Sequence, residues 1–163
     1  MPGVGRPLDP SRLGDHIDRL YRAACALTGS RLAADDLVQD TYAKVLAKPR
    51  LLRNDDDIGY LLKTMRNLFY DERRRAARRA TDPVDPEDFE RVEGGGGPQE
   101  AVERRELLAG IAALPEEFRD VLVAVDVAGL SYKEASGALG VPEGTVMSRL
   151  YRARKRVIAQ YEG

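Results

Sequence analysis

Apolar positions recur at helical spacing over most of this 163-residue chain, and no stretch alternates as a half-buried strand would. In the first half the pattern predicts helices near residues 10–28, 31–47 and 57–79. In the second it predicts helices near 99–113, 116–128, 131–139 and 143–160, separated by Pro115, Gly129 and the break from Gly140 to Pro142. The stretch from Lys48 to Asp57, interrupted by Pro49, reads as an irregular loop. Leu37, Val38, Tyr42, Val45 and Leu46 form the expected buried stripe of the second helix, which leaves Asp35, Asp36, Gln39, Asp40 and Lys44 outward. Leu61, Leu62, Met65, Leu68 and Phe69 give the third helix its apolar face. Between the halves, Thr81 to Pro98 holds three prolines, four consecutive glycines and hardly any apolar residues, which is the composition of a linker. The expected fold class is therefore all-α: two small helical domains, 1–80 and 99–163, joined by a flexible acidic segment at 81–98.

The second half carries the sharpest local pattern. Ser131 stands where an N-cap is needed, with Glu134 three residues on as its capping-box partner, and Gly140-Val141-Pro142 breaks the short helix that follows. The next helix spaces Val146, Leu150, Val157 and Ile158 as its apolar stripe, while Arg149, Arg152, Arg154, Lys155 and Arg156 share the remaining surface with no acid among them. Two short helices with a tight turn and a basic second member read as a helix-turn-helix, whose second helix enters the major groove. The small residues Ala135 and Gly140 would let the two helices approach closely.

Charge changes this picture more than composition does. The 26 cations and 27 acids nearly cancel, yet residues 1–80 hold 16 cations against 11 acids and residues 81–100 hold 1 against 7. The single cysteine, Cys25, excludes an internal disulfide. With one histidine, His16, it cannot assemble an ordinary four-ligand zinc site, so no metal or other cofactor is expected. Cys25 lies in a small-residue helical stretch and reads as a packed core thiol, and His16 as a helix-flank residue. No apolar run approaches membrane-spanning length and the N-terminus lacks a signal-peptide core, so the expected compartment is the reducing cytoplasm, without membrane insertion.

Two further constellations bear on chemistry. The carboxylates Asp35, Asp36 and Asp40 admit a solvated helix face or, less economically, metal-dependent acid–base work, although no histidine or phosphate-cradling glycine loop accompanies them. No catalytic residue is assigned, and the chain is not expected to be an enzyme. The third helix interleaves aromatic and cationic residues from Tyr60 to Arg79 and places five Arg in its last seven positions, Arg73 to Arg79. That suits a single-stranded polyanion, because bases stack on rings while guanidiniums follow phosphates. A basic C-terminal end also complements the helix dipole.

Four ordered segments together resemble the extracytoplasmic-function group of bacterial sigma-70 RNA polymerase sigma factors: Ala34-Asp35-Asp36-Leu37-Val38-Gln39-Asp40-Thr41, Arg66-Asn67-Leu68 to Arg75, Leu114-Pro115-Glu116-Glu117-Phe118-Arg119, and Gly144 to Arg154. The resemblance implies a promoter-specificity subunit with sigma domains 2 and 4, bound to core RNA polymerase and held by an anti-sigma factor until a signal arrives. It implies that Asp35, Asp36, Gln39, Asp40 and Lys44 dock on the polymerase clamp. It further implies that the 48–57 loop with Tyr60, Lys63, Arg66, Asn67, Arg73 and Arg74 holds the unwound −10 element, where capture of a flipped base offsets unstacking without ATP. The implied −35 readers are Tyr132, Lys133, Thr145, Met147, Ser148, Tyr151 and Arg152, with Arg149, Arg154, Lys155 and Arg156 on phosphates or on neighbouring helices. Met147 stands where many relatives have Lys or Arg, Tyr60 where they have Trp, and Asp55-Asp56-Asp57 is unusually acidic for a DNA-facing stretch. The competing reading is a free-standing helix-turn-helix regulator, which would bind duplex sites without polymerase.

Overall fold

The computed structural model describes residues 6–47, 51–52, 57–79 and 97–162. Strand β1 (Arg6–Pro7) and helix α1 (Pro10–Leu13) lead through a 3-10 turn, Gly14–His16, into α2 (Ile17–Thr28). Helix α3 (Arg31–Ala47), strand β2 (Leu51–Leu52) and α4 (Asp57–Arg78) complete the first half. The second half comprises α5 (Pro98–Ala112), α6 (Glu116–Leu122) with a π-helical turn at Val123–Val127, α7 (Tyr132–Leu139) and α8 (Glu143–Glu162). The expected linker lies, up to residue 96, outside the described residues, as do residues 48–50 and 53–56 of the expected loop.

Local chemistry explains most of these limits. Asp9 caps α1 by accepting the Ser11 amide at 2.9 Å, with Pro10 in the first helical position where its missing N–H costs nothing. The single helix expected over 10–28 is split into α1, the 3-10 turn at Gly14–His16 and α2. The sequence pattern also missed the two-residue antiparallel ladder of β1 with β2, Arg6 opposite Leu52 and Pro7 opposite Leu51. The helix expected over 116–128 loosens near its end, where the Ala128 N–H reaches the Val123 carbonyl at 2.8 Å. Ser131 and Glu134 form the full capping box at α7.

Gly140 corrects one expectation. It ends α7 with φ +69°, and a Cβ placed there would meet nothing within 4 Å. The turn needs its left-handed backbone, not its small size. Ala135, fully buried, is the small residue at the α7 contact.

The helical halves dock onto one continuous core. Leu20, Leu61 and Met65 from the first half and Val121, Val123, Val146 and Leu150 from the second belong to a single buried cluster. Helix α2 packs on α5 and on the π-helical turn, and α4 packs on α7. Arg19 of α2 reinforces this docking by donating to the carbonyls of Ala128 at 2.7 Å and Gly129 at 3.1 Å. Cys25 is buried, and desolvation pushes its thiol above the ordinary range. Two stripe assignments are corrected. Leu46 and Ile158 are exposed, and Ala34, Thr41 and Ala153 fill the inward positions instead.

Candidate nucleic-acid interface

Helix α8 sorts its cations by what lies behind them. Arg154 makes a bidentate pair with Asp126 of the π-helical turn, at 2.9 and 2.7 Å. Arg156 covers the Phe118 ring at 4.5 Å, and Arg149 comes within 3.9 Å of Glu117. These three fix α8 to α6 and the turn after it. The outward face keeps Met147, Ser148, Tyr151, Arg152 and Lys155 exposed, with Lys155 over the Tyr151 ring at 4.6 Å and Thr145 half-buried beside them. Tyr132 and Lys133 are exposed in the first turn of α7. Every side chain assigned to the −35 element except half-buried Thr145 and Arg149 is thus solvent-facing. That is the arrangement a groove-reading helix needs: a braced back and an open front.

Helix α4 divides its candidates between two faces. Tyr60, Lys63, Asn67 and Arg74 follow one another at helical spacing, with Lys63, Asn67 and Arg74 exposed and Tyr60 half-buried. Arg74 pairs with Asp71 at 2.8 Å. Arg66 and Arg73 lie on the neighbouring face. Arg73 covers the Phe69 ring at 5.3 Å. Arg66 is taken up by the second half, donating to Asp120 at 2.6 Å and to Glu116 at 3.2 Å.

Around that contact lies a buried polar cluster. The Tyr70 hydroxyl donates to Asp120 at 2.7 Å and accepts from the Arg119 guanidinium at 2.8 and 3.2 Å. Arg119 also donates to the Ala112 carbonyl at 3.0 Å, which anchors it within the second half. Burial, then the Asp120 carboxylate, drives the Tyr70 hydroxyl far above its ordinary value of 10.0. A groove of about 470 Å³ opens beside this cluster, lined by Arg66, Glu116, Glu117, Asp120, Arg149 and apolar neighbours. Its three acids outnumber its two cations, so it is no phosphate pocket. Among the described residues no three His, Cys, Asp or Glu side chains gather to hold a metal.

Helix α3 buries one apolar side and exposes a mixed one. Ala34, Leu37, Val38, Thr41 and Val45 face the core, while Asp35, Asp36, Gln39, Asp40 and Lys44 all point outward as expected. The exposed face also includes Leu32, 75 % exposed, and Leu46, 49 % exposed. Leu32, Asp36, Gln39, Ala43 and Leu46 follow the 4-3-4-3 spacing of a helix–helix seam along it, apolar at its ends and polar at Asp36 and Gln39. That spacing was present in the sequence, hidden by the assignment of Leu46 to the core.

Residues 13–79 match the family model Sigma-70 region 2, and residues 104–157 match Sigma-70, region 4. The chain is 36 % identical over 147 residues to the ECF RNA polymerase sigma factor SigE of Mycolicibacterium smegmatis, covering 87 % of this chain and 57 % of that protein's length. It is 31 % identical over 144 residues to the ECF RNA polymerase sigma factor EcfG of Rhodopseudomonas palustris, covering 88 % of this chain and 79 % of that one. Among solved structures it is similar to the sigma factor RpoE of Bartonella quintana in complex with the anti-sigma factor NepR, with a TM-score of 0.75, 26 % identity, and coverage of 93 % of this chain and 95 % of that one. It shares its fold with CnrH in complex with the cytosolic domain of CnrY, at TM-score 0.64 and 23 % identity, covering 93 % and 86 % of the two chains.

Proposed function

The chain belongs to the extracytoplasmic-function RNA polymerase sigma factors, and from this premise we propose that its three outward helix faces divide the work of promoter selection. Helix α8, with the first turn of α7, reads the −35 duplex. The outer face of α4 holds the unpaired −10 strand. The exposed seam of α3 docks on core polymerase. The protein works as a non-enzymatic cytoplasmic subunit whose catalyst is the polymerase, with residues 1–80 and 99–163 as its two working domains.

The observation that carries the −35 assignment is the division of α8 into braced and free cations. Phosphate contacts set register and base-edge contacts set sequence, so a reader must be immobile on its back and unpaired on its front. The Arg152 side chain makes no hydrogen bond or ion pair among the described residues and sits one turn from Ser148 on the open face. Met147, 47 % exposed, offers an apolar contact that suits a thymine methyl.

The α3 seam supports polymerase docking in the same physical terms. Its leucines at the two ends supply apolar anchors, and Asp36 with Asp35 and Asp40 between them favours a basic helical partner. Replacing Leu32 by Ala is expected to weaken core binding by about 1 kcal/mol, with −35 binding unchanged.

The described arrangement is that of the chain off the promoter. The −35 and −10 elements lie about 25 base pairs apart, roughly 85 Å of duplex, whereas a compact chain of this length has a radius of gyration of about 15 Å. Both elements can be read together only if the halves separate. The chain between Arg79 and Gly97 can extend to roughly 60 Å, which together with the halves themselves suffices. A closed form of this kind is what an anti-sigma factor would hold, and the similarity to RpoE in its complex with NepR supports such a partner.

The testing experiment is transcription from a pooled promoter library with core polymerase, with and without the protein. New start sites sharing two upstream elements are expected. Duplex binding by the isolated protein, without polymerase-dependent starts, would favour the free-standing regulator instead.

A further inference from the structure

Three charged residues stand outside the three helix faces proposed above. Asp57 is the first residue of α4, and its side chain is 1 % exposed. Arg6 of β1 donates to its Oδ1, and Arg12 of α1 brings its Nε within 3.6 Å of Oδ2. Both guanidiniums come from the N-terminal segment, which is itself pinned to the first half. Leu8 and Leu13 are buried in the core, and the Tyr42 hydroxyl of α3 donates to the Leu13 carbonyl at 2.6 Å.

A buried carboxylate costs several kcal/mol unless it is paired, and an apolar residue would serve core stability as well or better. The feature such a pair adds is a fixed position. Here it fixes the start of α4. The β1–β2 ladder meanwhile holds Leu51–Leu52, so the described elements on either side of residues 53–56 are both tied to Arg6–Pro7. Tyr60 and Lys63 follow Asp57 within the next two turns of the same helix.

We propose that Arg6, Arg12 and Asp57 are positioning residues for −10 recognition: the N-terminal guanidiniums clamp the first turn of α4, so that Tyr60 and Lys63 meet the unpaired strand in one pose. The carboxylate at Asp57 faces inward to these cations, and it also stands at the positive end of the α4 dipole. The acid that appeared misplaced beside DNA is an internal anchor. This inference rests on assigning the outer face of α4 to the −10 strand.

The test uses holoenzyme assembled from core polymerase and the full chain. Its probes are the non-template −10 single strand and the −35 duplex of the promoter giving the strongest transcript in the pooled library. Arg6→Ala is expected to weaken single-strand binding about ten-fold, with core affinity and −35 binding unchanged. Arg6→Lys should restore most of the loss, and Arg12→Ala, whose guanidinium is half exposed, should lose less in the same direction. Should Lys63→Ala weaken single-strand binding while Arg6→Ala and Arg12→Ala do not, the clamp is wrong and the −10 assignment stands. Should neither wild-type holoenzyme bind the single strand nor Lys63→Ala matter, the −10 assignment falls and takes the clamp with it. An equal loss of −35, core and single-strand binding in Arg6→Ala would mark a merely structural pair and overturn the proposal.

Discussion

Helices α4 and α8 are both long, both rich in arginine, and both packed into the same core through one apolar face, yet the fold gives their cations opposite surroundings. On α8 the acids Glu117 and Asp126 meet Arg149 and Arg154 at the back, and the front, with Arg152, stays open. On α4 the acids Glu116 and Asp120 reach across from the other half and take Arg66, a residue assigned to DNA. Counting cations along a helix therefore does not identify a nucleic-acid surface. What decides is whether the tertiary structure supplies a carboxylate where a phosphate would lie. In this conformation the face proposed for the −35 element is open and the one proposed for the −10 strand is partly occupied.

The largest effect that would break this contrast comes from the acid serving α4. Asp120→Ala removes the shared partner of Arg66 and Tyr70 and leaves charge uncompensated in a buried cluster, so urea unfolding should show a loss of about 3–5 kcal/mol. An effect below 1 kcal/mol would mean that the halves are not held there. Next comes Arg152→Ala on α8, expected to weaken −35 duplex binding by about 1–3 kcal/mol and to relax preference at one base pair, with the unfolding midpoint unmoved. Arg154→Ala, two residues along, should do the reverse on a smaller scale. Its exposed pair with Asp126 contributes up to about 1 kcal/mol to stability, and its loss should leave sequence preference intact. If Arg152 and Arg154 variants behave alike, the division into braced and free cations fails.

The last effect is one of pH. The Tyr70 hydroxyl binds its proton more tightly in the folded chain than in the unfolded one, where its value is 10.0. That contribution is complete below pH 10 and is lost as pH climbs toward the raised folded value. The decline in stability above pH 10 should be shallower in Tyr70→Phe than in wild type, measured by urea unfolding at stepped pH.

Much of the architecture could be read without coordinates because it is local. The capping box at Ser131 and Glu134, the break at Gly140 and the stripes of α3 and α8 each depend on residues a few positions apart. Where those readings slipped, a neighbour far along the chain decided the outcome. Leu46 and Ile158 fit helical stripes but find no partner surface among the distant elements. The contacts that give α4 its present role were not legible at all. Arg66 and Asp120 are 54 residues apart, and Arg6 and Asp57 are 51 apart. No periodicity links such pairs. The family resemblance was legible in four motifs, and it supplied roles for α3 that composition alone had left open between a solvated face and paired-carboxylate chemistry.

Separation of the two halves on a promoter is best measured as a distance. Spin labels at Glu72→Cys on α4 and Ala159→Cys on α8 occupy exposed positions that carry no assigned contact themselves, and the native Cys25 is buried with its thiol pushed toward the protonated form. In the free chain one narrow, short distance is expected. In the complex with core polymerase and a promoter bearing both elements, that distance should lengthen toward the spacing of the elements on the duplex. An unchanged distance in a transcriptionally active complex would contradict the closed-to-open reading and with it the meaning given to Arg66 and Asp120.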